Sequence, residues 1–194
     1  MREGKTLKVL GINGSPRKDG NTSVFINFAF QELEKEGIET ELLQLSGTRI
    51  QGCIACYKCF KNKDRRCAVD SDPANEFIEK MIRADGIILG SPTYVWDVTA
   101  EMKALIDRAA FVSIANGDMF QGKVGAAVSV MRRSGGAHTV DTMNHFFLGR
   151  KMFIPGMALG VGRNRGEVEK DEEGVQAVKS LGQRMAFLIK KLNQ

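Results

Sequence analysis

Short apolar runs alternate with longer amphipathic stretches along this chain, and that alternation leaves few folds open. The run 86–90 is continuously apolar and 124–131 is nearly so, as expected for strands buried on both faces of a parallel sheet. Stretches such as 22–36 and 178–192 carry apolar residues at steps of three and four, which is typical of helices. Strands and helices in alternation predict an α/β doubly wound, five-stranded parallel sheet with helices on both faces.

The predicted elements follow one another without a repeat, a low-complexity stretch or a linker. Strands are predicted at 7–12, 38–45, 86–90, 124–131 and 152–159, and helices at 22–36, 73–83, 102–109, 138–147 and 178–192. The alternating polarity of 38–45 places that strand at a sheet edge. We therefore expect one domain over residues 1–194, with a cysteine-rich insertion at about 46–72.

Composition excludes several classes of protein. With 43% hydrophobic and 26% charged residues, the chain has the makeup of a soluble protein and not of a disordered or collagen-like one. No apolar run approaches the ~20 residues of a membrane helix. Residues 1–5 begin no secretory signal, so we expect a cytoplasmic protein without a membrane partner. The net charge of +5 suggests nucleic-acid binding, but aromatic residues are few and no DNA-reading motif is present, so none is expected.

Doubly wound sheets bind ligands at the carboxyl ends of their strands, beside the point where the strand order reverses. Three loops predicted to follow neighbouring strands are rich in glycine, proline, hydroxyl and basic residues: 13–23, 91–97 and 131–137. Because these loops are expected at the same edge of the sheet, that edge is the candidate binding site.

The loop 13–23 contains the residue types of a phosphate site. Gly14 and Gly20 allow close backbone approach, and the loop leads into a helix whose N–H groups and dipole favour an anion. Polar and cationic side chains available there are Ser15, Arg17, Lys18, Asn21, Thr22 and Ser23. The glycine spacing fits neither a P-loop nor a dinucleotide fingerprint, which favours a single phosphate, as in FMN. A plain turn with Asn21 or Thr22 as the helix N-cap is the alternative.

The other two loops suit the flat ring of such a ligand. Tyr94 and the single tryptophan, Trp96, closely follow Pro92, and aromatic groups with backbone amides can cover one face and edge of a ring. The segment from Arg132 to Gly136 offers donors and small residues for the polar edge. The alternatives are half-buried packing residues in the first loop and a flexible turn in the second.

Three segments together resemble the NADPH-dependent FMN reductase-like flavoproteins, a flavodoxin-like family. They are Gly14-Ser15-Pro16-Arg17 with Asn21-Thr22-Ser23, then Ser91-Pro92-Thr93-Tyr94, then Lys103-Ala104-Leu105-Ile106-Asp107-Arg108. The resemblance implies non-covalently bound FMN, with its phosphate held by Ser15, Arg17, Asn21, Thr22 and Ser23. It also implies an isoalloxazine lined by Pro92, Thr93, Tyr94, Val95 and Trp96, with Ser134, Gly135 and Gly136 nearby.

All four cysteines lie in the insertion, at Cys53, Cys56, Cys59 and Cys67, with the spacing C-x2-C-x2-C-x7-C. Closely spaced thiols suit a polynuclear metal centre, whereas zinc ribbons use two separated pairs and a bacterial ferredoxin run ends in C-x3-C-P. The segment resembles the compact cysteine motif of the iron-sulfur flavoproteins, a branch of the same family. That resemblance implies a [4Fe–4S] cluster on these four residues. Zinc, or free or disulfide-forming thiols, are the alternatives.

These features predict an FMN-dependent oxidoreductase that passes electrons from NAD(P)H or a reduced carrier to a small-molecule acceptor such as a quinone or flavin. The flavin carries the chemistry, so no catalytic side chain is expected. The alternative is a non-enzymatic electron-transfer flavoprotein that accepts electrons from ferredoxin. The resemblance also implies a homodimer or homotetramer.

Basic residues are concentrated in the cysteine-rich insertion. Five of them, set against Asp64 alone, contribute +4 between Cys56 and Cys67: Lys58, Lys61, Lys63, Arg65 and Arg66. We interpret this charge as offsetting an anionic cluster and attracting an acidic carrier such as ferredoxin; a solvated loop is the alternative. Four other charged residues are expected at the solvated surface, in subunit contacts or at a nicotinamide-phosphate site: Asp107, Arg108, Arg163 and Arg165.

Overall fold

Five parallel strands form the centre of the computed structural model, which describes residues 6–194. The strands are β1 Lys8–Asn13, β2 Glu39–Gln44, β3 Gly86–Pro92, β4 Val124–Met131 and β5 Met157–Val161. The helices are α1 Asn21–Lys35, α2 Lys58–Asn62, α3 Ala74–Arg83, α4 Ala100–Ala115, α5 Gly136–Gly149 and α6 Glu172–Leu192, with a 3-10 turn at Glu167–Lys170. The strand order β2-β1-β3-β4-β5 is that of the flavodoxin-like doubly wound sheet, so the predicted fold class is confirmed. The expectation about a secretory signal concerns residues 1–5 and lies outside the described residues.

Different helices cover the two faces of the sheet and create two hydrophobic layers. On one face α1 and α6 pack against each other and the sheet, burying Phe25 completely. On the other face α3, α4 and α5 contribute a second layer that includes Leu105. Gly182 lets α6 approach α1 closely, since a Cβ at this position would lie 2.7 Å from the Ala29 carbonyl oxygen. The prediction of helices on both faces is therefore confirmed.

The last strand and the insertion differ from their predicted form. β5 begins at Met157 and not at 152, because Phe153 makes only an isolated bridge to Val124 and Pro155 has no N–H for a ladder. Within the insertion the structure contains α2, a helix of 5 residues that is too short to produce a recognisable apolar period. β2 pairs with β1 alone and lies at the sheet edge, as predicted.

The longest described helix, α6, has 21 residues and an amphipathic pattern. Its buried residues include Val178 and Leu181, whereas Lys191 is exposed to solvent. Across residues 6–194, no helix combines the length and the apolar character that crossing a membrane requires.

Candidate functional site

A cleft of about 240 Å³ opens at the carboxyl ends of four strands. It is lined by Ser15, Arg17, Asn21 and Thr22 after β1, Pro92, Thr93 and Tyr94 at β3, Val130 and Arg132 at β4, and Gly162 and Arg163 after β5. The three loops singled out in the sequence meet at this cleft, beside the reversal of strand order between β1 and β3. Gly162 is not among the residues that the sequence predicts for the site, and Arg163 is predicted only at the surface, in a subunit contact or at a nicotinamide-phosphate site. Both directly follow the last strand, which is a signal for this edge of the sheet.

A second cavity of about 380 Å³ adjoins the first and shares Thr93 and Arg132 with it. Its remaining lining residues are Val95, Trp96, Arg133 and Ser134. The φ angles of Val95 and Trp96 are 48° and 66°, a left-handed conformation that costs bulky residues about 1–3 kcal/mol and is often found at ligand sites. The Trp96 side chain is 63% exposed, so the interpretation of this residue as half-buried packing is wrong.

The first turn of α1 faces the cleft without a side-chain cap. Gly20 occupies the N-cap position and the first turn contains no acidic residue. The N–H groups of residues 21–23 therefore have no acceptor within the helix, and they present donors and a positive dipole end. Capping by Asn21 or Thr22, the alternative considered from the sequence, is wrong. Ser23 lies outside the cleft lining, where its hydroxyl donates to the Gly20 carbonyl at 2.8 Å.

The side chain of Asn21 has a different role from the expected phosphate ligand. Its amide nitrogen donates to the Asn164 carbonyl at 2.8 Å, and its amide oxygen accepts from the Gly166 N–H at 2.8 Å. Both polar groups are therefore used to hold the loop after β5, while the backbone N–H of Asn21 stays in the first turn. Thr22, only 2% exposed, lines the cleft, and its hydroxyl makes no hydrogen bond to another described residue.

The loop 13–23 is shaped by hydrogen bonds from two neighbouring strands. The buried Asn13 accepts from the Ser15 N–H at 3.0 Å and donates to Gln44 at 2.7 Å. Gln44 donates in turn to the Ser15 carbonyl at 2.9 Å, and the Ser15 hydroxyl accepts from the Arg17 N–H at 3.1 Å. Because these contacts fix the backbone, the loop geometry is preorganised for a ligand.

Three arginines give the cleft a positive charge. Arg17, Arg132 and Arg163 all line it, and none forms an ion pair with a carboxylate in the part of the chain that the structure describes. Arg165, two residues beyond Arg163, instead pairs with Asp19 at 3.1 Å and is well exposed. The surface expectation fits both residues, since Arg163 is also exposed, but Arg163 lines the cleft as well.

Hydroxyl contacts fix the loops around the second cavity. The Thr93 hydroxyl lies 3.1 Å from that of Ser129 and 3.0 Å from that of Thr139. Gly135, with φ 90°, is the N-cap of α5, and a Cβ there would lie 2.8 Å from Thr93 and 2.9 Å from Trp96. Gly135 and Gly136 line neither cavity; they allow the start of α5 to pack against the loops that do.

The four cysteines are free thiols in a segment with unusual backbone geometry. Cys56 is exposed, Cys59 is 8% exposed, and the other two are intermediate. Burial raises the pKa of the Cys59 thiol, and the neighbouring thiols of Cys67 and Cys56 raise it further. Ala55 and Tyr57 on either side of Cys56 are left-handed, with φ 50° and 55°. Within residues 6–194, no three cysteine, histidine or carboxylate side chains converge closely enough to be assigned as ligands of a metal ion.

Arg108 is buried against the cysteine-rich insertion (residues 46–72) and hydrogen-bonds to it, contrary to its expected surface position. The residue is 1% exposed, and its guanidinium donates to both carboxylate oxygens of Asp72 at 2.7 and 2.6 Å. It also donates to the carbonyls of Val69 and Gln51, at opposite ends of the segment. Asp107 behaves as expected, since it is exposed and pairs with Lys103 at 2.6 Å.

The ion pair between Asp72 and Arg108 is expected to be lost in acid. Burial alone raises the pKa of Asp72, but hydrogen bonds from Arg108 and from the N–H groups of Gln51 and Ala74 outweigh it and hold the pKa below its usual 3.8. A carboxyl with a lowered folded-state pKa stabilises the protein above the unfolded-state pKa, and this contribution disappears as pH falls through the folded-state value. The free energy of unfolding of the native chain should therefore exceed that of Asp72→Asn by a constant amount down to about pH 4.

Urea unfolding of both chains between pH 7 and pH 3 measures this difference, which is expected to shrink only in the most acidic samples. Asp107→Asn, in an exposed pair, serves as the control and should differ little from the native chain at any pH. A difference that grows on acidification would contradict the role of Asp72.

Comparison with known proteins places the chain in a family. The sequence profile described as NADPH-dependent FMN reductase matches residues 7–165. An iron-sulfur flavoprotein of Methanocaldococcus jannaschii is 35% identical over 198 residues, covering 97% of this chain and 100% of the relative.

Two solved structures are similar in fold. RosB, with a bound 8-demethyl-8-formylriboflavin-5'-phosphate intermediate, has a TM-score of 0.78 at 21% identity, covering 97% of this chain and 81% of that one. A flavodoxin from the domain Archaea has a TM-score of 0.61 at 17% identity, covering 95% and 99%. The similarity of these two structures agrees with the observed strand order. Family membership rests on the sequence profile and on the 35% identical relative. The chain belongs to the NADPH-dependent FMN reductase family, in its iron-sulfur flavoprotein branch.

Proposed function

We propose that the protein binds FMN and acts as an oxidoreductase, passing electrons from NAD(P)H or a reduced carrier to an acceptor such as a quinone or free flavin. The observation that supports this best is the pair of adjoining cavities joined at Thr93 and Arg132. One has uncapped helix N–H groups and unpaired arginines, and the other has an exposed aromatic loop. Such a site matches a molecule with a phosphate at one end and a flat ring at the other.

The residues present fit FMN at both ends. The N–H groups of residues 21–23, the Thr22 hydroxyl and the Arg17 guanidinium would hold the phosphate. The loop from Thr93 to Trp96 and Ser134 would line the ring, and Gly135 and Gly136 would let the start of α5 pack beside them. When bound, FMN supplies two-electron and one-electron redox chemistry. The chain orients it, excludes water from one face and places donors near the ring edge, where they favour a reduced, anionic flavin.

The four cysteines suit a [4Fe–4S] cluster by the chemistry of their donors, since soft thiolates are the ordinary ligands of such clusters. The residues that would hold it are Cys53, Cys56, Cys59 and Cys67, and the cluster would supply one-electron transfer. The left-handed residues beside Cys56 and the anchor at Arg108 would keep the segment in place around it. A zinc site and free thiols are the competing outcomes of an iron measurement.

The surface of the cysteine-rich insertion favours an acidic electron donor of the ferredoxin kind. Lys58, Lys61 and Lys63 are exposed and form no ion pair with another described residue. The remaining two cations are partly neutralised, because Arg65 lies 3.7 Å from Glu79 and Arg66 lies 2.9 Å from Asp70. This observation keeps the second candidate function open, a carrier that accepts electrons from such a donor without turning over a substrate.

Binding of FMN is expected to quench the fluorescence of the single tryptophan. Trp96 lies in the lining of the second cavity, so a flavin ring placed there would be in contact with it or very near it. Titration of flavin-free protein with FMN should quench most of the emission at one equivalent, with ultrafiltration confirming the stoichiometry. In the Trp96→Phe chain, which has no tryptophan, binding should persist without the signal. Binding that leaves Trp96 emission unchanged would contradict the placement of the ring.

The overall function is tested on protein purified without oxygen. An absorbance spectrum with quantified flavin, iron and zinc separates the cofactor proposals, and about four irons per chain is the result expected for one cluster. Flavin bands without iron would reject the cluster, and the absence of any flavin binding would reject the whole proposal. Steady-state oxidation of NADPH or NADH with a quinone, faster than with free FMN alone, favours the enzyme. Reduction by ferredoxin without such turnover favours the electron carrier.

The expected homodimer or homotetramer is a separate question, and size-exclusion chromatography of the purified protein measures the oligomeric state.

A further inference from the structure

The loop after β5, residues 162–166, is hydrogen-bonded to the side chain of Asn21 at the start of α1. Asn21 bonds to the Asn164 carbonyl and to the Gly166 N–H, each at 2.8 Å. A Cβ on Gly162 would lie 2.7 Å from the Asn21 amide nitrogen and 2.9 Å from the Val168 backbone nitrogen. Glycine at 162 therefore permits an approach that a larger residue would prevent, and the loop forms one wall of the cleft.

A carboxylate organises the same loop from its other side. Glu167 accepts from the backbone N–H groups of Arg163 and Asn164, both at 2.8 Å. It also accepts from the Asn164 side chain. Hydrogen bonds from Asn164 and then Arg163 lower the pKa of Glu167, so it stays ionised and these contacts persist at neutral pH. The backbone of Arg163 is thus fixed by Glu167 on one side and by the contacts of Asn21 with the loop on the other.

Arg163 lines a cleft whose lining includes three cationic residues. Arg17 and Arg132 share the cleft lining, and no carboxylate among residues 6–194 pairs with any of the three. All three are exposed to solvent, and an anion bound among them would be attracted by each. A phosphate monoester carries about −1.5 to −2 charges at pH 7. The nearly buried Thr22 hydroxyl offers a further polar contact in the same place.

We propose that Arg163 selects a phosphate monoester at this cleft, and that Asn21 acts as the positioning residue that holds Arg163 there. Because riboflavin has no phosphate, Arg163 would make the protein bind FMN more tightly than riboflavin. This inference rests on the proposed FMN function and adds a specificity residue from the fourth loop, which the sequence pattern placed at the surface. Guanidinium–phosphate contacts combine charge with hydrogen bonding, so their loss weakens the phosphorylated ligand selectively.

The experiment measures the Kd of FMN and of riboflavin for the full chain by flavin fluorescence. Arg163→Gln should weaken FMN binding about tenfold and change riboflavin binding less than twofold; tenfold corresponds to about 1.4 kcal/mol. The Kd of FMN for Arg163→Lys should lie between those of the native chain and Arg163→Gln, since lysine keeps the charge but lacks the planar guanidinium. Asn21→Ala should lower the FMN preference similarly, and the double variant should be no worse than Arg163→Gln alone. Arg165→Gln, whose partner is Asp19, is the matched control and should stay within twofold.

Several results would overturn the inference. These are an equal loss of FMN and riboflavin affinity in Arg163→Gln, an effect no larger than that of Arg165→Gln, or additive losses in the double variant. An unchanged FMN preference with a raised KM for NADPH relative to NADH would assign Arg163 to a dinucleotide phosphate instead, which also overturns it. If the native chain binds neither flavin, the proposed function fails with it. If the native chain binds FMN and Arg163→Gln binds it equally well, only this inference fails.

Discussion

Replacing Arg108 with methionine is expected to lower the free energy of unfolding by about 3–5 kcal/mol, the usual cost of leaving one partner of a buried ion pair alone. The Arg108 side chain is 0% exposed and that of Asp72 is 4% exposed, so the remaining carboxylate would be buried without its cation. The same change removes the bonds to Val69 and Gln51, which hold both ends of the cysteine-rich segment. We therefore expect the segment to open as well as the fold to weaken.

Two measurements separate these effects. Urea unfolding gives the loss of stability, and native-state reaction of metal-free protein with a thiol reagent reports the exposure of Cys59, which is 8% exposed in the native fold. Cys59 should become reactive in Arg108→Met at a urea concentration that leaves the sheet folded. Lys103→Met, in an exposed pair with Asp107, is the control and should cost well under about 1 kcal/mol.

The double variant Arg108→Met with Asp72→Asn tests the origin of the loss. Because it buries no unpaired charge, it should be more stable than Arg108→Met alone. Strict additivity of the two single changes would show that the ion pair is not what stabilises the segment.

Introducing a carboxylate with Thr22→Asp is expected to weaken FMN binding by at least about a hundredfold. Two like charges about 4 Å apart repel by about 4 kcal/mol at the effective dielectric constant of a protein surface. Thr22 lies in the cleft lining at the first turn of α1, where the phosphate is proposed to bind. Riboflavin, which has no phosphate, should lose much less affinity.

This change also distinguishes a binding defect from a folding defect. An acidic residue in the first turn interacts favourably with the helix dipole, by about 0.3–1 kcal/mol, which offsets part of the cost of a carboxylate at a position that is only 2% exposed. Riboflavin binding by the variant shows whether the site is still folded. Thr22→Ser keeps the hydroxyl and should bind FMN within about threefold of the native chain. Comparable losses of FMN and riboflavin affinity in Thr22→Asp would contradict a phosphate site at this turn.

Much of the fold could be predicted because its determinants are local. The apolar character of 86–90 and 124–131 comes from strands with both faces covered, and the periodicity near the carboxyl end comes from the single buried face of α6. The apolar pattern predicts too early a start for β5, because Phe153 is apolar yet makes only an isolated bridge. Helix α2 could not be found, since 5 residues hold little more than one turn of the period.

The candidate site was predictable in its location and less so in its contacts. Strand ends and their glycine-rich loops meet by topology, so the three loops could be brought together from chain order alone. Trp96 and Tyr94 stood out because both residue types are rare in this chain, with one tryptophan and two tyrosines. Nothing in the sequence, however, distinguishes Arg163 from Arg165 in charge or neighbours, and the cleft contains only the first.

The sequence by itself determined the order of strands and helices, the sheet class, the edge where ligands bind and the cysteine spacing, since each depends on residues near one another in the chain. Only the tertiary structure decided what Asn21, Arg108 and Arg163 do. Asn21 contacts a loop 143 and 145 residues away, and Arg108 meets its carboxylate partner at a separation of 36. Burial and ion pairing across such distances arise from packing, which no local pattern encodes.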